Sequence, residues 1–154
     1  MSAIEIKITN LNKLTDLAEK YPKTAEKHIG GAINKSLVRI FAEEKQTAPF
    51  GVTANLRDNW LLSFGRFQGS LRSNAPYSVG VEEGTRPHYV SPRALKPWAE
   101  ARGLNPFAVA KSIAKKGTKA NPFLKRAVDN TADAVDREFT KALDALVDDL
   151  AKGV

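Results

Sequence analysis

The sequence predicts an α+β fold in which long helices pack on a small, mostly antiparallel β-sheet. Two patterns support this prediction. Apolar residues recur at helical spacing over two long stretches, residues 22–48 and 122–150. Between these stretches, short segments alternate polar and apolar residues, as half-buried strands do. With 154 residues the chain is long enough to bury a core, and we assign residues 1–154 to a single domain.

Composition excludes several classes of protein. No apolar run approaches the ~20 residues that a membrane-spanning helix needs, so we expect no membrane contact. The chain has no cysteine and two histidines, so we expect no bound metal and no cofactor. Its net charge of +7 is unevenly distributed. Residues 86–126 carry ten basic side chains and one acidic, a net of +9, whereas residues 127–154 carry three basic and seven acidic, a net of −4. Such segregation favours contacts between complementary surfaces.

The first third of the chain predicts one strand and two helices. Residues 4–8 alternate isoleucine with polar residues and indicate a half-buried strand. A first helix is predicted over 11–21, and a second begins at residue 22 and ends at residue 48, before a proline. Gly30 and Gly31 weaken this second helix, and they indicate either a close helix crossing or a kink.

The middle and last parts of the chain predict a hairpin and three more helices. Residues 50–59 fit a loop with one helical turn, and 60–73 fit two strands joined by a turn at Gln68-Gly69. Residues 77–81 fit either a strand or a short irregular turn. Helix signals define three further segments, namely 94–102, 107–116 and 123–150. Asn-Pro pairs mark the starts of the last two, and Gly103 and Gly117 end the first two. The last helix is long enough to need a partner along its length, either the N-terminal helices or another subunit.

The acids and the histidine of residues 82–88 are the best candidates for catalysis, since acid–base chemistry needs titratable groups in different environments. In a strand, however, Glu82 and Glu83 point to opposite faces and cannot share a proton. We therefore expect one of them to pair with an arginine and the other to be solvated, and we predict no catalytic residue and no enzymatic activity. Gly84 is expected to take a positive φ, because the chain must turn sharply after the acids.

Residues 114–126 form a basic stretch that suits either phosphate contacts or a solvated surface. We predict that it belongs to an assembly surface that meets the acids of the last helix in a neighbouring subunit. The apolar stripe of residues 128–139 would then be buried by that neighbour, with acid meeting base at the rim. The residues predicted for this surface are Lys115, Lys116, Lys119, Asp129, Asp133 and Asp136, of which the three acids share a helix face.

Three ordered stretches carry a resemblance to a known family: AEEKQTAPFGVTANLRDNW, SNAPYSVGVEEGTRPHYVSP and IAKKGTKANPFLKRAV. In this order they resemble the neck, tail-completion or minor tail-component family of long-tailed bacteriophages and prophages. Ala54 stands where members of that family usually have glycine. The positions that match the motifs of the family are Pro49, Thr53, Leu56, Arg57, Tyr77, Glu82, Gly84, Thr85, Pro122 and Phe123.

The resemblance implies a structural virion protein that acts in tail completion or head–tail joining as part of a ring-shaped assembly. Its partners would be further copies of itself and neighbouring connector or tail proteins, and DNA in the channel is a further contact to consider. It would be found at the neck or tail of the virion, and in the host cytoplasm during assembly. The alternative is a basic nucleic-acid-binding protein, and a third hypothesis is an enzyme that uses Glu83 and His88.

Overall fold

The computed structural model describes residues 5–8, 19–49 and 55–153, and it confirms the α+β class. Most of the helix predicted over 11–21 lies outside the described residues, as does Thr53. In chain order the elements are β1 (Glu5–Ile8), α1 (Pro22–Ala25), a π-helical turn (Glu26–Gly30), α2 (Gly31–Thr47), α3 (Asn55–Asp58), β2 (Trp60–Phe64), β3 (Gly69–Ser73), α4 (Ser78–Glu83), α5 (Pro92–Glu100), α6 (Pro106–Lys116) and α7 (Phe123–Ala151).

The sheet has three antiparallel strands in the order β1-β3-β2. Gly69, the first residue of β3, lies opposite both Ile8 of β1 and Phe64 of β2. The backbone N–H of Gly65 donates to the carbonyl of Gln68 at 2.8 Å and closes the turn between β2 and β3. The predicted hairpin is therefore confirmed, although Gly69 lies in the strand and not in the turn.

Helix α7 lies antiparallel to the helix formed by α1, the π-helical turn and α2. At one end the Thr47 hydroxyl donates to the carbonyl of Phe123 at 2.8 Å. At the other end His28 Nε2 lies 2.8 Å from the Asp149 carboxylate, and this hydrogen bond helps to hold the pKa of Asp149 below its ordinary value. The partner that a helix of this length requires is thus supplied within one chain.

The core lies between this helix pair and the sheet. Ile33 and Leu37 of α2, Leu71 of β3 and Phe123 of α7 are fully buried and belong to one hydrophobic cluster. Ile33, Leu37 and Phe123 lie on apolar stripes at helical spacing, and Leu71 lies in a strand. The apolar sides of the two long helices and of the sheet therefore meet in a single core.

We expected a neighbouring subunit to bury the apolar stripe on α7. Most of this stripe packs instead against the core of its own chain. Val128, Val135 and Phe139 are partly buried against the core, and Ala132 is exposed. The expectation is therefore wrong for most of the stripe, because α7 turns this side towards its own core. Asp129, Asp133 and Asp136 of the predicted assembly surface lie on the exposed side.

The two adjacent glycines of the long helix have different surroundings. A Cβ at Gly30 would lie 2.9 Å from the backbone carbonyl oxygen of Arg66, whereas a Cβ at Gly31 would meet nothing within 4 Å. The close approach at Gly30 therefore brings the helix against the β2–β3 turn. The sequence indicated either a crossing with another helix or a kink, and the partner in this close approach is not a helix. The π-helical turn, which ends at Gly30, widens the helix at the same place.

We expect alanine to have opposite effects at these two positions. Gly31→Ala should raise the free energy of unfolding by about 0.5–1 kcal/mol, because alanine is the better helix former and the site is open. Gly30→Ala should lower it by about 1–3 kcal/mol, because a rigid backbone carbonyl occupies the space. Urea unfolding of both variants checks this pair, and equal stabilisation by both would contradict the close packing of the helix on the turn.

Candidate functional site: a junction of the three motifs

The three stretches that carry the family resemblance converge at the N-terminal end of α7. We call this region the motif junction and define it by Thr47, Glu82, Thr85, Thr118 and Phe123. Each stretch forms hydrogen bonds with at least one of the others. Residues that lie far apart in the sequence are thereby fastened around the first turn of one helix.

Residues 78–83 form the short helix α4, where the sequence predicted a strand or an irregular turn. The Glu82 carboxylate accepts hydrogen bonds from the backbone N–H groups of Leu124 at 2.9 Å and Lys125 at 3.0 Å. Glu82 forms no ion pair among the described residues, so the expected pairing of an acid with an arginine is wrong. The N-terminus of α7 takes the place of the arginine, because its first N–H groups lack partners within the helix and its dipole favours a negative charge. Glu83 is exposed.

Helix α7 begins without a capping side chain from its own start. The Asn105 side chain caps α6, accepting from two N–H groups of its first turn at 2.9 and 3.3 Å. The same Asn-Pro pair precedes α7, but the Asn121 side-chain oxygen accepts instead from the guanidinium of Arg126 at 2.7 Å. Pro122 occupies the N-cap position, is exposed and offers no cap. Glu82 therefore caps the N-terminus of α7 from a distant part of the sequence, whereas Asn105 caps α6 from the residue next to its start.

The chain makes a second contact directly after α4. Thr85 and Thr118 form two backbone hydrogen bonds of 3.1 and 3.2 Å, and their hydroxyl oxygens lie 3.0 Å apart. Gly84 has φ 77° and ψ 176°, and Gly117 has φ 72° and ψ −159°. The positive φ predicted for Gly84 is thus confirmed. Both conformations belong to a region that residues with a Cβ avoid.

Phe123 joins the junction to the core. Its ring meets that of Trp60 edge to face, with centroids 6.4 Å apart and planes at 77°. The indole N–H of Trp60 donates to the carbonyl of Leu56 at 2.8 Å, and Leu56 is buried. The Tyr77 hydroxyl accepts from the Asn55 side chain at 3.3 Å, which connects the first motif to the second. The first motif therefore reaches the junction through both its apolar and its polar residues.

The other two described residues of the first motif lie at the edges of this arrangement. Pro49 follows α2 and is half-buried. Arg57 lies on α3, is half-buried, and has its Nε 3.5 Å from the carboxylate of Asp58.

A buried acid lies in the core next to these residues, and sequence reasoning missed it. Glu44 of α2 is fully buried, and neither of its carboxyl oxygens has a hydrogen-bond partner in the described part of the chain. Burial raises the pKa of Glu44 to about 8, and the nearby Trp60, Lys45 and Arg57 oppose this rise only in part. A signal was present, because Glu44 continues the buried stripe of α2 at helical spacing.

The structure does not bring the predicted assembly residues together within one chain. Lys115, Lys116 and Lys119 are exposed, and none of them forms an ion pair in the described ranges. Asp129 pairs with Lys125 of its own helix at 2.6 Å. Two further predicted acids are exposed and have no ion pair among the described residues, namely Asp133 and Asp136.

The residues considered for catalysis do not form a fixed constellation. His88 is exposed, and its Nδ1 lies 2.9 Å from the carbonyl of Arg86. The Glu83 side chain makes no hydrogen bond or ion pair with the described residues. Over residues 5–8, 19–49 and 55–153, no cluster of three or more acids or histidines is arranged to hold a metal ion. No helix in the same ranges is long and apolar enough to cross a membrane.

Comparisons with models of protein families, with curated proteins and with solved structures found no match to this chain. The geometry of the motif junction therefore carries the functional argument.

We expect the two adjacent glutamates of α4 to respond differently to the same change. Glu82→Gln should lower the free energy of unfolding by about 0.5–2 kcal/mol, because an amide keeps one acceptor but loses the charge that the helix N-terminus favours. Glu83→Gln is the matched control and should stay within about ±0.5 kcal/mol, because its side chain is exposed. Chemical denaturation measures both, and an equal loss in the two variants would argue against the capping role of Glu82.

Proposed function

We propose that this chain is a structural protein of a tailed bacteriophage or prophage, located at the head–tail junction and acting in tail completion or head–tail joining. One observation carries the proposal: described positions from all three motifs of the tail-component family meet at one junction. There, Glu82 and Thr85 bind backbone groups, and Leu56 and Phe123 are buried in the core. Motif residues used in this way hold an architecture together. This use fits the structural role that the resemblance implies.

The partners that we propose are further copies of the chain, in a ring-shaped assembly, and the connector or tail proteins next to it. The segregated charge supports this proposal, since a basic middle and an acidic last helix suit subunit contacts. The protein would then be made in the host cytoplasm and carried in the neck or tail of the virion.

The test is to delete the coding sequence from the phage or prophage that carries it and to image the particles by electron microscopy. We expect filled heads and tails that are unjoined or incomplete, and wild-type protein supplied in trans should restore joined virions. Mass spectrometry of purified wild-type virions should find the protein. Joined, infectious particles without it would overturn the proposal.

Nucleic-acid binding is the second candidate, and one observation favours it. Residues 86–117 carry seven basic side chains and one acidic, a net of +6, and they include the exposed aromatic residues Tyr89 and Phe107. Basic side chains beside exposed rings suit phosphate contacts and base stacking. A monomer that binds DNA with a steep dependence on salt would support this function over the first.

A further inference from the structure

Residues 86–117 form a unit that we call the arm, and its two helices pack little against the rest of the molecule. Helices α5 and α6 pack mainly on each other, burying Ala99 and Ala110 between them. The arm is joined to the body at its base, where Thr85 pairs with Thr118. Because its helices use each other as partners, their outer faces are available to another molecule.

The outer face of α6 combines an aromatic ring with positive charge. Phe107 is 72% exposed, and Lys111 and Lys115 follow it at intervals of four residues on the same side of the helix. At the base of the arm Tyr89 is 82% exposed. An exposed ring beside lysines suits base stacking, and it also suits the apolar centre of a protein interface with a charged rim. An acidic surface on α7 favours the protein interface.

Helix α7 offers a complementary surface, which we call the acidic row. It runs along the exposed side of the helix, opposite the side that packs on the core, and Arg137 borders it. Four of its six members are aspartates, and Val147 is 59% exposed. In order, the row consists of Asp129, Asp133, Asp136, Thr140, Asp144 and Val147.

The charges on the two surfaces have similar spacing. Lys111 and Lys115 on α6 lie four residues apart, about 6 Å along the helix. Asp133 and Asp136 on α7, which form no ion pair among the described residues, lie three residues apart, about 4.5 Å. The arm and the acidic row form no ion pair with each other within the described part of the chain. One copy therefore leaves both surfaces open to a second copy.

We propose that the arm of one copy docks on the acidic row of the next, head to tail. A contact between two different surfaces of the same chain repeats from copy to copy and generates a ring or a filament. Phe107 supplies the apolar centre of the contact, and the lysine–aspartate pairs set its register. The proposal names the contact between copies within the assembly proposed above, and in that sense it rests on the proposed function.

The test compares the full-length chain with two charge reversals. The arm variant carries Lys111→Glu and Lys115→Glu, and the row variant carries Asp133→Lys and Asp136→Lys. The control for the arm variant carries Lys20→Glu and Lys23→Glu, which make the same charge change as the arm variant at exposed positions outside both surfaces. Light scattering over a range of concentrations measures association, and circular dichroism checks that each variant is folded.

We expect the wild-type chain and the control to associate, and each reversal alone to weaken association by about 10–100-fold. An equimolar mixture of the arm and row variants should associate again, because every contact between the two variants then joins opposite charges. A wild-type chain that stays monomeric would overturn the proposal, as would reversals without effect or a mixture that fails to recover. If the arm variant loses only binding to duplex DNA, the arm belongs to DNA and the proposal also fails. The microscopy of deletion particles is a separate measurement, so either proposal can fail alone.

Discussion

The stability of the protein is expected to fall as the pH rises from about 5 to 9, because Glu44 is fully buried. Burial raises the pKa of Glu44 from 4.5 to about 8, so between these values the folded state holds a proton that the unfolded state releases. Its contribution to stability is therefore fully present below about pH 4.5 and is lost as the pH rises through 8. A shift of this size corresponds to at most about 5 kcal/mol, and we expect about 2–4 kcal/mol because water penetration and relaxation lower the cost.

Two variants isolate this effect. Glu44→Gln replaces the carboxyl with a neutral group of the same shape. The part of the fall in stability with pH that is due to Glu44 should therefore disappear. Glu43→Gln is the control, because this neighbouring acid is only half-buried and its side-chain oxygen accepts from Asn130 at 2.8 Å. Urea unfolding at pH 6 and pH 9 gives the comparison. If the wild type and Glu44→Gln lose the same stability between these pH values, Glu44 is not protonated in the folded state.

The second large effect is expected at Gly84. Gly84→Val should lower the free energy of unfolding by about 2–6 kcal/mol, because it combines backbone strain at a positive φ with overpacking. A Cβ there would lie 2.6 Å from the carbonyl oxygen of Thr118 and 2.8 Å from the backbone nitrogen of Ala120, and both atoms belong to a fixed segment. Gly117→Val should be at least as damaging, since its Cβ would overlap the carbonyl of Thr85.

Gly103→Val separates the two causes of this loss. Gly103 also has a positive φ, of 65°, but a Cβ there would meet nothing within 4 Å. Strain alone should then cost about 1–2 kcal/mol. Guanidinium denaturation of the three variants tests the ranking. A Gly84→Val variant that unfolds at the same denaturant concentration as the wild type would show that the motif junction is not packed as described.

The helices and strands that the sequence predicted correctly are those with local signals. Asn105 followed by proline begins α6, Gly103 and Gly117 follow the ends of α5 and α6, and alternation marks the hairpin. Each signal acts within a few residues of the boundary that it sets, so one stretch of sequence is enough to find it. The class of the fold follows from the same local patterns.

The parts that escaped prediction depend on residues that meet only in the folded chain. Helix α4 is six residues long and shows no sustained apolar period. The role of Glu82 depends on Leu124, which is 42 positions away in the sequence. The helical spacing of the buried residues in α2 includes Glu44, so its burial could have been predicted from the sequence. A charged residue at such a position is normally taken to mark the end of the buried stripe, because charged side chains are rarely buried.

The antiparallel pairing of α7 with α2 also sets the order in which the protein can fold during synthesis. Helix α7 is made after every other described element, yet it supplies Phe123 and Leu146 to the core and a covering for Ile33 and Leu37. Until α7 has been made, these apolar surfaces have no partner on that side. The part of the chain that precedes α7 therefore cannot complete its core alone, and we expect a variant that lacks α7 to aggregate.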